Sequence, residues 1–165
     1  MDGRSNQDEC LKGGNYFFPL QPMKLIKPSS RCRTVFYPKT ASNAQAEGNL
    51  VFLTSGAASK CASAANAAVI AGVVISPVVS TDSDYATTAA DTSQPYLVDE
   101  DGIWEMDVTT ATSFGIGVTC DAHTDGQTLV CNAATFDTFV IVGGTTTKAH
   151  VQIRRWATSD PQAIA

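Results

Sequence analysis

The chain has 165 residues, enough for one domain with a buried core, and only 16% of them are charged, against about 25% in most globular proteins. It contains no apolar run of about 18 residues, which excludes a membrane-spanning helix, and its formal net charge of -5 argues against a generally basic nucleic-acid-binding chain. The charge is uneven, because residues 1–40 carry seven basic and three acidic residues whereas the remaining 125 carry four and thirteen.

Residues 1–33 are predicted to form an extended basic arm. The first residues are polar and lack the apolar segment of a signal peptide, so we expect the protein to be made in the cytoplasm. Prolines at positions 19, 22 and 28 argue against a helix and favour an extended path. Exposed aromatic and basic side chains on such an arm are candidate anchors, either on the protein's own body or on a neighbour. The predicted partner interface comprises Tyr16, Phe17, Phe18, Lys24, Lys27, Arg31 and Arg33.

The arm and the body differ in charge, which suggests that they contact different surfaces. The basic residues of the arm are dispersed instead of clustered, and the acidic body would repel phosphate. An acidic protein surface is therefore the expected partner, and nucleic acid is not.

The first half of the body is predicted to contain short strands separated by loops. Residues 34–37 and 50–54 are predicted strands, and the Ala-rich residues 57–71 indicate a turn or a short helical piece. Strands are expected over residues 68–79, interrupted near Pro77, followed by a surface loop over residues 80–94.

The second half, from Leu97 to Trp156, shows period-two alternation of apolar and polar residues, punctuated by Gly and Asp turns. This pattern predicts antiparallel β-structure. The expected strands cover residues 103–108, 114–120, 128–131, 136–142 and 149–156. We therefore predict an all-β fold, an antiparallel β-sandwich or barrel-like body over residues 34–158, with the extended N-terminal arm before it and a short tail over residues 159–165.

No arrangement of residues in the sequence predicts catalysis, a metal site or a cofactor. His150 falls on the polar face of an alternating strand, and His123 lies in a loop, residues 121–126, that superficially resembles a calcium loop. That loop would place Asn132 where calcium needs a bidentate Glu. Gly143-Gly144 lacks the strand-to-helix context of a phosphate-binding loop. The expectation is a protein that is not an enzyme.

Five cysteines, at positions 10, 32, 61, 120 and 131, have no metal-ligand spacing. A tight hairpin centred on Asp125-Gly126 would place Cys120 directly opposite Cys131. The pair could be bridged by a disulfide or could remain as two reduced, buried thiols.

The order of these features resembles the head decoration, or cement, proteins of tailed bacteriophages. The resemblance is carried by residues 47–56 (EGNLVFLTSG), by residues 70–75 (IAGVVI) and by the hairpin-rich half from Gly102 to Trp156. In such proteins an early Gly-x-Leu/Val strand and a Gly-Val-Val strand precede a hairpin-rich half. The resemblance covers roughly residues 34–156, and the basic arm and the Ala-rich insert depart from it.

The resemblance implies a structural virion protein that binds and stabilises the assembled capsid, without catalytic residues, metal or cofactor. Its implied partner is the major capsid protein, its implied state a homo-trimer, and its location the outer capsid surface after assembly in the host cytoplasm. No contact with membrane is implied. Two alternatives stay open: another virion part, such as a tail or head-fibre protein, and a β-domain that binds a small ligand or carbohydrate.

Overall fold

The computed structural model describes residues 23–67, 69–87, 93–99, 101–132 and 135–154. These residues form eleven strands and one four-residue helix, α1 (Ala64–Ala67). In chain order the strands are β1 (Met23–Lys27), β2 (Arg33–Pro38), β3 (Leu50–Thr54), β4 (Ala57–Lys60), β5 (Ile70–Val74), β6 (Ser93–Val98), β7 (Ile103–Thr110), β8 (Thr119–Ala122), β9 (Leu129–Val130), β10 (Phe139–Gly144) and β11 (Lys148–Ile153). Across the described ranges no helix has the length and apolar character needed to cross a membrane.

The strands form two sheets that pack against each other. The six-stranded sheet has the order β1-β7-β11-β10-β8-β9, and the five-stranded sheet has the order β2-β6-β5-β3-β4. The second half of β7 also pairs in parallel with β9, through Val108 and Leu129, so β7, β11, β10, β8 and β9 close into a ring. The predicted all-β sandwich is therefore confirmed, and its six-stranded sheet has barrel-like curvature.

The main core fills the ring and the space between the two sheets. Its largest fully buried side chains include Trp104 and Phe139 from the six-stranded sheet and Leu50 from the five-stranded sheet. Burying such a side chain contributes about 1.5–3 kcal/mol. Because residues of both sheets belong to one cluster, neither sheet can separate without exposing this core.

A second, smaller core lies on the other face of the five-stranded sheet. It consists of Val51, Ala58, Val74 and Tyr96, and the chain between β2 and β3 covers it. The buried Tyr96 hydroxyl donates a hydrogen bond to Oε1 of Gln45 at 2.9 Å, and Gln45 Nε2 donates to the Ala58 carbonyl at 3.1 Å. This face of the sheet is therefore closed by the protein's own loop.

Several strands lie where alternation predicts them, including β3 over residues 50–54 and β7 from residue 103. The strand predicted over residues 114–120 is wrong for residues 114–118. Gly117 has a φ of +84°, and the Val118 N–H bonds back to the Gly115 carbonyl at 3.1 Å, which makes this segment a turn. β8 starts only at Thr119.

The Ala-rich segment splits into elements of both kinds. Its first residues form β4, paired with β3, and the helical piece that composition suggests is confined to α1. Strand β5 ends at Val74, and beyond it Val78 makes only an isolated bridge to Gln45. The predicted strands over residues 68–79, interrupted near Pro77, are therefore confirmed only for residues 70–74, and the expected second strand is reduced to this bridge.

The packed body includes residues 23–33, which the sequence pattern assigns to the arm. Strand β1 pairs with β7, Met23 opposite Met106 and Lys24 opposite Glu105, and Met23 is only 1% exposed. The alternation of β1 is obscured because it is short and bulged between Leu25 and Lys27. Tyr16, Phe17 and Phe18, the aromatic part of the predicted interface, lie outside the described residues.

Candidate interaction surface

The four basic residues of the predicted interface that the structure describes lie along one border of the sandwich. Lys24 and Lys27 belong to β1, Arg31 to the connection that follows, and Arg33 opens β2. All four are exposed, whereas Met23 and Cys32 between and beside them are buried. We call Lys24, Lys27, Arg31 and Arg33 the basic border.

The sheet topology explains why these residues fall on one border. β1 is the end strand of the six-stranded sheet and β2 is the end strand of the five-stranded sheet. The short connection over residues 28–32 joins them and therefore crosses from one sheet to the other on the same side of the molecule. The segment from Met23 to Arg33 contains four basic residues and no acidic one.

A buried carboxylate holds the connection in place. Asp99 is 0% exposed and accepts hydrogen bonds from the Ser29 backbone N–H at 2.7 Å and from the Ser29 hydroxyl. A Cβ on Gly102 would lie 2.6 Å from the Asp99 carboxyl carbon, so only glycine fits beside this carboxylate without displacing it. The hydrogen bonds to a charged acceptor are among the stronger ones in proteins. The basic border therefore stands on a fixed backbone.

Acidic side chains lie next to two residues of the border. Arg31 Nε lies 3.4 Å from Asp101 Oδ2, with both side chains about half exposed, so solvent screens this ion pair. Lys24 lies across from Glu105 in the register of β1 and β7.

Exposed apolar side chains lie on the same two strands. Phe36 on β2 is 61% exposed, and Ile26 on β1 is 38% exposed. The alternation of the sequence predicts that Phe36 lies in a strand. It cannot predict that the opposite sheet leaves the Phe36 side chain uncovered, so the sequence does not identify Phe36 as an anchor. A cationic border with exposed aromatic and aliphatic side chains is typical of protein-binding surfaces.

The outward face of the six-stranded sheet carries a cluster of charges next to the border. Lys148 Nζ donates to Asp107 Oδ1 at 2.7 Å and lies 3.8 Å from Glu105, and His150 Nε2 lies 3.7 Å from Glu105. The hydrogen bond to Asp107 raises the pKa of Lys148. His150 lies in β11 between the buried Ala149 and Val151, as expected for the polar face of an alternating strand.

Both aspartates of the loop that resembles a calcium site accept hydrogen bonds from backbone N–H groups of the residues that follow the loop. Asp125 accepts hydrogen bonds from the N–H groups of Gln127 (2.8 Å) and Thr128 (2.9 Å), and Asp121 accepts from the N–H groups of Thr135 and Phe136. Partial burial alone would raise the pKa of Asp125, but these hydrogen bonds outweigh it and lower the pKa. In the described ranges no group of three or more His, Cys, Asp and Glu residues could hold a metal ion.

Cys61, Cys120 and Cys131 are free and fully buried, while Cys32 is disulfide-bonded. The register predicted for Cys120 and Cys131 is confirmed, since β8 and β9 pair Asp121 with Val130 and Ala122 with Leu129. Burial raises the pKa of Cys61 to about 12 and also raises that of Cys120. These thiols are poor nucleophiles in the folded protein.

No protein-family model matches the chain, and no curated protein matches it.

Proposed function

We propose that this chain is a structural virion protein that binds the assembled head of a tailed bacteriophage and stabilises it, as a decoration or cement protein. The observation that carries the proposal is the basic border, a fixed row of cations on a protein whose net charge is -5. Such a row of cations favours an acidic partner surface by charge complementarity. The resemblance of the sequence to phage decoration proteins suggests that this acidic surface belongs to the major capsid protein.

The architecture suits this role. Two sheets that share one core form a rigid body, which can hold neighbouring capsid subunits at a fixed separation without any chemical step. The border combines cations with exposed Phe36 and Ile26, so it offers both charge complementarity and apolar area. We propose a homo-trimer as the bound form, because several borders on one assembly would raise the avidity for a repetitive surface.

The proposal is tested with heads of the cognate phage assembled without this chain. Purified protein is added, bound copies are counted after sedimentation, and the temperature at which the heads release DNA is measured with and without it. We expect saturable binding, a molar mass of three chains in solution and a higher release temperature. Binding to isolated tails instead of heads, or heads that release DNA at an unchanged temperature after saturation, would refute the role.

A further inference from the structure

A buried pair of cysteines lies across two neighbouring strands of the ring. Cys120 belongs to β8, and Cys131 directly follows β9. The register of these strands pairs Asp121 with Val130 and Ala122 with Leu129, so the next pair along is Cys120 with Cys131. Both side chains are 0% exposed and belong to the main core.

The backbone hydrogen bonds show which kind of antiparallel pair this is. The Cys131 N–H donates to the Thr110 carbonyl at 2.7 Å, and the Cys131 carbonyl accepts from the Ser113 N–H at 2.9 Å. Both groups therefore point away from β8. Cys120 and Cys131 form a non-hydrogen-bonded pair, and in such pairs the Cα atoms are about 4.5 Å apart, with the side chains closest to each other.

That spacing lies within the range of Cα separations that a disulfide bridges, about 4.4–6.8 Å. The two thiols are also close enough to interact by a hydrogen bond, which raises the pKa of Cys120 further. Cys61, the third free cysteine of the described ranges, lies in another segment of the chain and provides a natural comparison.

We propose that Cys120 and Cys131 are a site of reversible oxidative cross-linking, which locks the β8–β9 hairpin of the ring by a disulfide. The oxidant is a small-molecule disulfide such as oxidised glutathione. One cysteine thiolate attacks it, forming a mixed disulfide and releasing one glutathione. The second cysteine then displaces the other glutathione, so the two thiols lose two protons and two electrons and two reduced glutathione molecules are produced.

This cross-link does not depend on the proposed capsid role, because it follows from the register and hydrogen bonding of β8 and β9. The bond would close the chain between residues 120 and 131 and hold β9, which is only two residues long, against β8. Since β9 also pairs with β7, the lock would keep the ring closed. Burial disfavours the thiolates, so the bond should form while the hairpin opens or during folding, and slowly in the folded protein.

The test measures how strongly the fold favours the bond. Reduced full-length protein is equilibrated with mixtures of reduced and oxidised glutathione, once in native buffer and once in urea, and the pairs are identified by alkylation and peptide mass. The effective concentration of the two thiols should be roughly 100-fold higher in native buffer, as expected if the bond stabilises the fold by constraining a loop of this length. The Cys61→Ala variant should give the same ratio of effective concentration in native buffer to that in urea.

Three results would overturn the proposal. One is a ratio below about tenfold, because the native register would then not favour the bond. Another is a native protein in which Cys61 forms the bridge with either partner. The third is a folded Cys131→Ala variant whose thermal midpoint rises on oxidation as much as that of the unmodified protein. If the Cys131→Ala variant does not fold, the test uses only the ratio of effective concentrations, measured on the unmodified chain and on Cys61→Ala. A ratio below about tenfold in both then overturns the proposal.

Discussion

The side chain of Gln127, in the turn before β9, is hydrogen-bonded to both backbone groups of Leu50 in β3. The Leu50 N–H donates to Gln127 Oε1 at 2.7 Å, and Gln127 Nε2 donates to the Leu50 carbonyl at 3.1 Å. Nε2 also donates to the Cys61 carbonyl at 2.7 Å. One buried amide thus pairs with the backbone as a neighbouring strand residue would. It ties the hairpin of the six-stranded sheet to β3 and to the residue after β4 in the other sheet.

Substituting Gln127→Ala should destabilise the protein by about 3 kcal/mol, because it leaves the buried Leu50 N–H and Cys61 carbonyl without their partner. The Leu50 carbonyl loses one of its two donors and keeps the Cys61 N–H at 2.8 Å. Urea unfolding followed by tryptophan fluorescence measures this destabilisation. The matched control is Gln152→Ala, which removes a longer hydrogen bond to the Asp101 carbonyl at 3.3 Å near the surface and should cost no more than about 0.5 kcal/mol. Equal losses in the two variants would contradict the role of Gln127.

Alanine substitutions at Gly126 and Gly117 distinguish the cost of backbone strain from the cost of steric crowding. Both have positive φ, +68° and +84°, but a Cβ on Gly126 would lie 2.8 Å from the Cys61 carbonyl carbon, while one on Gly117 would meet nothing within 4 Å. Gly117→Ala should therefore cost only the conformational term, about 1–2 kcal/mol. Gly126→Ala should cost at least about 3 kcal/mol, since it also pushes the hairpin off the segment at Cys61. A smaller loss in Gly126→Ala than in Gly117→Ala, by urea unfolding, would contradict the close docking.

Asp125 makes the stability of the hairpin depend on acid pH. Its pKa in the folded protein is lowered below the ordinary value of 3.8, so its contribution is complete above pH 3.8 and is lost as the pH falls through the folded pKa. Asp125→Asn cannot titrate. The stability difference between the unmodified protein and this variant should therefore be constant from pH 7 to 5 and shrink below pH 3.8. A difference that stays constant down to pH 2.5 would show that the carboxylate is not stabilised by the N–H groups of the turn.

The hydroxyl of Tyr96 gives a prediction at alkaline pH. Burial raises the pKa of Tyr96 from 10 to about 12, so its contribution to stability is complete below pH 10 and is lost as the pH rises towards 12. The unmodified protein should lose more stability over this interval than Tyr96→Phe does. At pH 7, Tyr96→Phe should cost about 1–3 kcal/mol because Gln45 Oε1 loses its buried donor.

The neighbouring ring is the control for this experiment. Tyr37 is half-buried and its ring centre lies 5.9 Å from that of Tyr96, so Tyr37→Phe tests the loss of a hydroxyl without the loss of the bond to Gln45. We expect a change within about 0.5 kcal/mol at pH 7. A Tyr37→Phe variant as unstable as Tyr96→Phe would assign the effect to the ring pair and not to the hydrogen bond.

The sequence predicts those features that depend on neighbours along the chain. Period-two alternation gives β3 and β7, and the Asp125-Gly126 turn gives the register of Cys120 and Cys131. Local signals fail where the partner is distant. Gln127 bonds to a residue 77 positions away, and nothing in its surroundings in the sequence distinguishes it from an exposed turn residue.

The same distinction applies to the interaction surface. The charge split of the sequence identifies Lys24, Lys27, Arg31 and Arg33, but not their placement on two packed strands, because β1 depends on pairing with β7, about 80 residues later in the chain. Deleting residues 1–33 would therefore remove a strand of the six-stranded sheet. Substitution of single side chains on the intact chain is the better way to examine this surface.

The most direct test of the central claim is the affinity for cognate heads of two charge-matched double variants. Lys24→Gln with Lys27→Gln neutralises half of the basic border, and Lys60→Gln with Lys148→Gln removes the same charge from β4 and β11. Both must first show an unchanged unfolding transition. We predict that the border variant binds about tenfold more weakly at physiological salt, while the other stays within about threefold of the unmodified protein. Equal affinities of the two variants would contradict attachment through the basic border.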